Sequence, residues 1–210
     1  MSGLREAKKR HTRATIAQAA ADLFRDRGFA AVTIDDVASA ANVSRQTVFN
    51  YFPTKEQMLF DREDEIGAAL LALVRDRPDG AALVAAFRAH TRGFWERFGR
   101  ILRDGGETHG FWEIVQASPA LRDYAEVSFG HQTNDVGREL AREWGRPPDD
   151  PICHALARTL CGVNVAILFC GLGRLTAGDD HAAVVADMLA RADEAYDLLE
   201  PGLGSYTPPR

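Results

Sequence analysis

The chain reads as an all-α protein of about nine helices, with three short helices near its start and a larger helical domain after them. Three observations predict this. Apolar residues recur at three- and four-residue spacing through every long block, as in Ile16, Ala19, Ala20, Leu23 and Phe24. Capping residues open these blocks, and glycines or prolines close them. No block shows the strict alternation of a half-buried strand.

The first helix is expected from about Lys8 to Asp26, with Gly28 as its stop. Thr33 caps a second helix, Asp36 stands where a capping-box partner belongs, and Ile34, Val37, Ala38 and Ala41 form its inner face. Asn42 tolerates a left-handed backbone, so Ala41-Asn42-Val43 is a turn. Ser44 caps a third helix whose inward anchors are Val48, Phe49 and Phe52. Pro53 stops that helix, and Thr54, with Gln57 three residues on, opens one expected to reach about Arg75. After Arg77-Pro78-Asp79-Gly80 a helix runs from about Gly80 to Leu102 and ends before Gly105-Gly106. A short helix spans Thr108 to Val115. Ser118-Pro119 then opens a helix to about Trp144, Asp150-Pro151 one through Leu172, and Asp179 or Asp180 the last, to Leu199. Residues 201–210, rich in Pro and Gly, read as a flexible tail.

Two short helices around a tight turn, followed by a capped third start, are the grammar of a DNA-reading unit. The helix opened by Ser44 turns Arg45, Gln46, Thr47, Asn50 and Tyr51 outward, a polar face suited to a major groove. Thr33 and Ser44 sit at helix starts, and Lys55 lies near another, where its ammonium and the free backbone amides can share a phosphate. The expected DNA-binding set is therefore Thr33, Ser44, Arg45, Gln46, Thr47, Asn50, Tyr51 and Lys55. The domain division follows as 8–60 for a helix-turn-helix domain, its motif at about 34–53, 61–200 for a C-terminal domain, and 201–210 for the tail.

The segment from about residue 10 to 60 resembles the N-terminal domain of the TetR (tetracycline-repressor-like) family of transcriptional regulators. Ile16, Ala20, Leu23, Phe24, Gly28-Phe29, Val32-Thr33-Ile34, Val37-Ala38, Ala41, Val43-Ser44, Thr47, Phe49, Tyr51-Phe52, Lys55-Glu56 and Leu59 carry the match. Asn42 stands where the family has a glycine, and Phe49 where a tyrosine is frequent. The second change removes a hydroxyl for a phosphate, about 0.5–1.5 kcal/mol net. The resemblance implies a homodimer on a two-fold symmetric operator, most often a repressor released by a small-molecule effector.

Composition narrows the alternatives. Residues 1–62 hold ten Lys and Arg against seven Asp and Glu, a charge of +3, while the remainder carries −8 of the overall −5. Arg5, Lys8, Lys9, Arg10 and Arg13 concentrate that basic excess at the start, where an arm or first helical turn can touch phosphates, although such a run can equally be a solvated tail. Cys153, Cys161 and Cys170 are odd in number and share one helical region, so they read as small buried hydrophobes. No stretch reads as a membrane span and the start lacks a secretion signal, so a cytoplasmic protein is expected. No metal-ligand spacing or nucleophile signature occurs; no cofactor and no enzymatic activity are expected.

In the C-terminal domain the last helix is apolar on one broad face and the helix before it almost all round, and the two are expected to form half of an intersubunit four-helix bundle. Bulky and polar residues lie between them and the DNA-reading part. Trp95, Phe98, His109, Trp112, Phe129 and Asn164 are the candidate effector-binding residues, an apolar lining with few polar groups. The same aromatics would equally fill an ordinary core. A constitutive DNA binder without effector, or an all-helical enzyme, are the competing readings.

Overall fold

The computed structural model describes the backbone of residues 2–77, 82–103 and 108–204. Within them the chain forms ten α-helices: α1 (Ser2–Arg27), α2 (Ile34–Ala40), α3 (Arg45–Tyr51), α4 (Glu56–Leu59), α5 (Glu63–Arg75), α6 (Leu83–Arg103), α7 (Thr108–Ala117), α8 (Pro119–Glu143), α9 (Pro151–Thr176) and α10 (His181–Leu199). The expected breaks at Pro78–Gly80 and Gly105–Gly106 fall outside the described residues, as does 205–210 of the expected tail. Residues Glu200–Gly204 continue α10 as a π-type turn, and Leu203 packs on the core, because an apolar side chain there gains more from burial than from solvent.

Two elements differ from the sequence expectation. The first helix starts at Ser2 rather than near Lys8. The helix expected from Thr54 to Arg75 is two helices. Phe60 takes φ −97° and ψ +36° after α4, and the chain restarts at Glu63. The Thr54 hydroxyl accepts a long bond from the Gln57 amide, at 3.4 Å, so its cap is weak.

Contacts divide the chain into two units, Met1–Asp64 with Gly110–Glu126, and Glu65–His109 with Val127–Arg210. The division differs from a single cut near residue 60, since residues 110–126 group with the first unit. In that unit α1 buries Ile16, Ala17, Ala20 and Phe24 against α2 and α4. Phe60 packs edge-on against Phe111, with ring centroids 5.3 Å apart, and lies 5.1 Å from Tyr124. The Tyr124 hydroxyl donates to the Glu63 carboxylate at 3.1 Å. Burial first, then the Glu63 charge, pushes that phenol up to about 12.

In the second unit α10 packs on both α6 and α9. Leu70, Val74, Phe87, Val136, Leu140, Leu156, Leu160 and Tyr196 meet in its core, where the Tyr196 and Thr91 hydroxyls share a buried bond of 3.0 Å. Gly171 in α9 is required by packing: a Cβ there would stand 2.3 Å from the Trp95 ring and 2.7 Å from Met188. Cys153 and Cys161 are buried as expected, but Cys170 is exposed on the outer side of α9. α9 is also long and apolar enough, by length and composition, to cross a membrane, contrary to the sequence reading. Cys153, Leu156, Ala157, Leu160 and Cys161 of this helix belong to the helical core, and Ile167, Leu172 and Leu175 are buried further along it, as in the core helix of a soluble protein.

Glu139 is the one buried carboxylate among the described residues of this unit, taking bonds from Arg75 at 2.9 Å and from two nitrogens of Arg142. Those hydrogen bonds outweigh its desolvation and hold it down to about 2. Its stabilisation is complete above the ordinary carboxylate range, near pH 4.5, and is lost as pH falls from there through about 2. Glu139→Gln is expected to lower stability at pH 7 by about 1–3 kcal/mol and to flatten the acid limb of a Tm-against-pH curve. A variant with an unchanged acid limb would remove Glu139 from that role.

Candidate functional site

α2 and α3 are set by their caps. Thr33 accepts from the Asp36 amide at 3.2 Å, and the Asp36 carboxylate accepts from the Thr33 amide at 2.8 Å, a complete capping box. The Thr33 hydroxyl and then the Thr33 amide, both donating to the Asp36 carboxylate, with Arg27 adding a smaller attraction, hold the Asp36 carboxyl below its ordinary value. Asn42 turns the chain at φ +53°, the left-handed conformation expected of it. Ser44 accepts from the Thr47 amide at 3.0 Å, and its hydroxyl lies 2.8 Å from that of Thr47. α3 is held to the rest of the unit by Val48 and by Phe52 just beyond its end, both fully buried.

Outward from α3 stand Arg45, Gln46 and Asn50, all exposed. The Gln46 amide donates to Asn50 Oδ1 at 3.0 Å, one helical turn on, which pre-sets both side chains. Arg45 reaches Asp35 at 2.9 Å and lies 5.6 Å from the Phe49 ring. Phe49 itself, expected inward, is 39% exposed and serves as a platform for Arg45. Tyr51, expected outward, is half-buried; its carbonyl accepts from Arg13 at 3.1 Å.

Lys55 is placed differently from a free phosphate anchor. Its ammonium donates to the Phe29 and Val32 carbonyls, at 2.6 and 2.9 Å, and stands 4.1 Å from the Phe29 ring centroid. Burial lowers the pKa of this ammonium, with Glu56 opposing. An ammonium has three donors, so one remains for a ligand. Arg13, grouped by sequence with the basic cluster, is likewise inward: it also donates to the Asp61 carbonyl at 3.2 Å and lies 4.4 Å over Phe52. Sequence spacing could not show these long-range carbonyl partners. Lys55→Met is expected to lower the Tm by about 4–8 °C, since two charge-assisted bonds contribute roughly 2 kcal/mol. An unaltered melting curve would leave both carbonyls indifferent to the lysine.

The effector candidates divide between the units. Trp95 and Phe98 lie together in the second unit, buried, with ring centroids 5.5 Å apart and Phe94 against both. Phe129 is half-buried against Phe169, and Asn164 is half-buried on α9. Trp112 belongs to the first unit, buried beside Phe111. The His109 side chain lies outside the described residues. The indole nitrogen of Trp95 is buried and meets no acceptor among the described residues. His90, which the sequence reading did not place in the set, is half-buried on the same helix as Trp95; its pKa is lowered by desolvation and then by Arg97.

Residues 16–61 match the family model for bacterial regulatory proteins of the tetR family. Over the whole length, the chain is 35% identical to the HTH-type transcriptional regulator TcmR of Streptomyces glaucescens, covering 96% of this chain and 88% of that one. It is 29% identical to an HTH-type transcriptional repressor of Mycobacterium tuberculosis, over 90% and 89% of the two chains. Among solved structures, a SmeT–triclosan complex superposes with a TM-score of 0.57 at 19% identity over 95% of this chain and 98% of that one, which extends the likeness of fold through both units. The capped α2–turn–α3 pair and these likenesses converge: the chain belongs to the TetR family of helix-turn-helix transcriptional regulators, DNA-binding proteins rather than enzymes.

Proposed function

We propose that this regulator is a cytoplasmic, homodimeric repressor that reads a two-fold symmetric operator through α3 and leaves it when a small, largely apolar or aromatic effector occupies the second unit. The observation that carries the reading is the exposed row Arg45, Gln46 and Asn50 on a short helix clamped by Ser44, Val48 and Phe52. In this reading Arg45, Gln46, Thr47 and Asn50 touch bases or phosphates. Thr33, Ser44, Tyr51 and the third donor of Lys55 serve the backbone on either side.

The effector half of the proposal rests on Trp95. A buried indole N–H without an acceptor among the described residues leaves hydrogen-bond energy that a ligand oxygen can supply, and its neighbours Phe94 and Phe98 provide an aromatic wall. Phe129 and Asn164 are proposed as further contacts. In the first unit Phe60, against Phe111 and Tyr124, is the proposed relay from the α7–α8 segment to the chain that follows α4. Trp112 belongs to that relay. A coupling of about 1–3 kcal/mol would change operator affinity about 5- to 150-fold.

The test starts from an operator selected from genomic fragments with the purified protein. Apolar and aromatic compounds are then screened for those that raise the Tm and release the DNA. Trp95→Phe is expected to weaken such a compound by about 0.5–1.5 kcal/mol while leaving effector-free operator binding intact. Specific operator binding with no compound that both stabilises and releases would identify a constitutive binder instead.

A further inference from the structure

The first turns of α1 carry charge that the fold itself does not use. Every described side chain from Gly3 to His11 is exposed, and the first buried residue of the helix among those described is Ile16. A helical stretch this short, with no buried side chain among those described, is marginal in water by itself. It holds Arg5, Lys8, Lys9 and Arg10 against Glu6 alone, a net +3. Arg5, Lys8 and Lys9 fall at i, i+3 and i+4 and so share one face, whereas Glu6 and Arg10 are spaced as an i, i+4 pair on another.

Arg13 defines where this stretch begins. Its guanidinium bonds the carbonyl of Tyr51, the last residue of α3, and lies over Phe52. The helix therefore departs from the C-terminal end of α3, and the eleven residues back to Ser2 extend about 16 Å at 1.5 Å per residue. That reach matches several successive phosphates of a duplex.

We propose that residues 3–11 are a basic helical arm that lies along the DNA backbone flanking the bases read by α3. Arg5, Lys8 and Lys9 each neutralise one phosphate there. The proposal rests on α3 being the reader. An anionic membrane would be the other partner for a basic helix, but Leu4 and Ala7 are the only strongly apolar residues between Gly3 and His11, too few for the apolar face that interfacial helices need.

The experiment compares the wild type with an Arg5→Gln, Lys8→Gln, Lys9→Gln variant on the selected operator and on random duplex, from 50 to 200 mM salt. Three lost phosphates should shallow the log–log salt slope by about 2.7, so wild-type affinity falls about 40-fold further than the variant's over that range. Loss should be equal on both duplexes, preserving their ratio, and Arg10→Gln should leave the slope near wild type. Hydrogen exchange should show amides 5–11 fast in the free protein and slowed on DNA. The variant buries nothing, so its melting curve should match wild type. An unchanged slope, or amides that stay fast in the complex, would overturn the arm, as would charge-dependent binding to phosphatidylserine vesicles with no change on DNA. If the wild type itself fails to distinguish operator from random duplex, it is the reader assignment that falls.

Discussion

A Gln46→Ala, Asn50→Ala variant is expected to lose about 30-fold or more in operator affinity, with random-duplex binding and thermal stability near wild type. Each lost base contact costs roughly 1–3 kcal/mol, and both side chains are exposed, so truncation leaves the core intact. The bond between them refines the expectation. Gln46 donates to Asn50 Oδ1, which leaves Gln46 Oε1 as an acceptor and the Asn50 amide as a donor. Adenine presents the complementary N6–H donor and N7 acceptor in the major groove. Each single substitution removes its own contact and frees the other side chain from its hydrogen bond, so the two singles should be non-additive. The measurement is competition binding at several salt concentrations with base-substituted operators. Retained discrimination in a folded double variant would remove α3 from the reading role.

The second large effect is expected at the outer face of α9. Ala155, Thr159, Gly162, Ala166, Cys170 and Gly173 are all exposed and recur every three or four residues along it. Small side chains on an apolar helix let a second copy approach closely, which suits the proposed dimer. A Gly162→Asp, Ala166→Asp variant would place four carboxylates around a two-fold axis. It should sediment as a folded monomer and bind the operator about 100-fold more weakly, because the second half-site loses its millimolar effective concentration. A variant that stays dimeric in analytical ultracentrifugation would move the interface elsewhere. Val185 and Met188 in α10 are unsuitable for this test, since both are buried in their own subunit, against Gly99 and beside Gly171 respectively.

The helix-turn-helix was legible in the sequence because its determinants are local. Thr33 with Asp36, Asn42 and Ser44 each act on backbone within four residues, so type and spacing suffice to place α2, the turn and α3. Helix existence elsewhere was legible for the same reason. The break between α4 and α5 was not, because no glycine or proline marks it. The restart at Glu63 coincides with contacts from Phe111 and Tyr124, which come about fifty to sixty residues later in the chain.

Long-range partners decided the remainder. Periodicity assigned Phe49 inward, yet a seven-residue helix buries one narrow stripe, and Val48 with the following Phe52 already fills it. Lys55 and Arg13 read as phosphate ligands because charge near a helix end suggests an anion; the fold also brings carbonyls close, which engage two of the three Lys55 donors and the Arg13 guanidinium. Nothing local in the sequence marks Gly171, whose lack of a Cβ is required by the Trp95 ring packed against it. By itself the sequence determined most of the helices, the capped α2–turn–α3 pair and the family, since each depends on short-range backbone chemistry or on a linear pattern of residues. Only the tertiary structure decided which aromatics share a unit, which cations face outward and which face of α9 is left uncovered, because burial is a property of residues far apart in the chain.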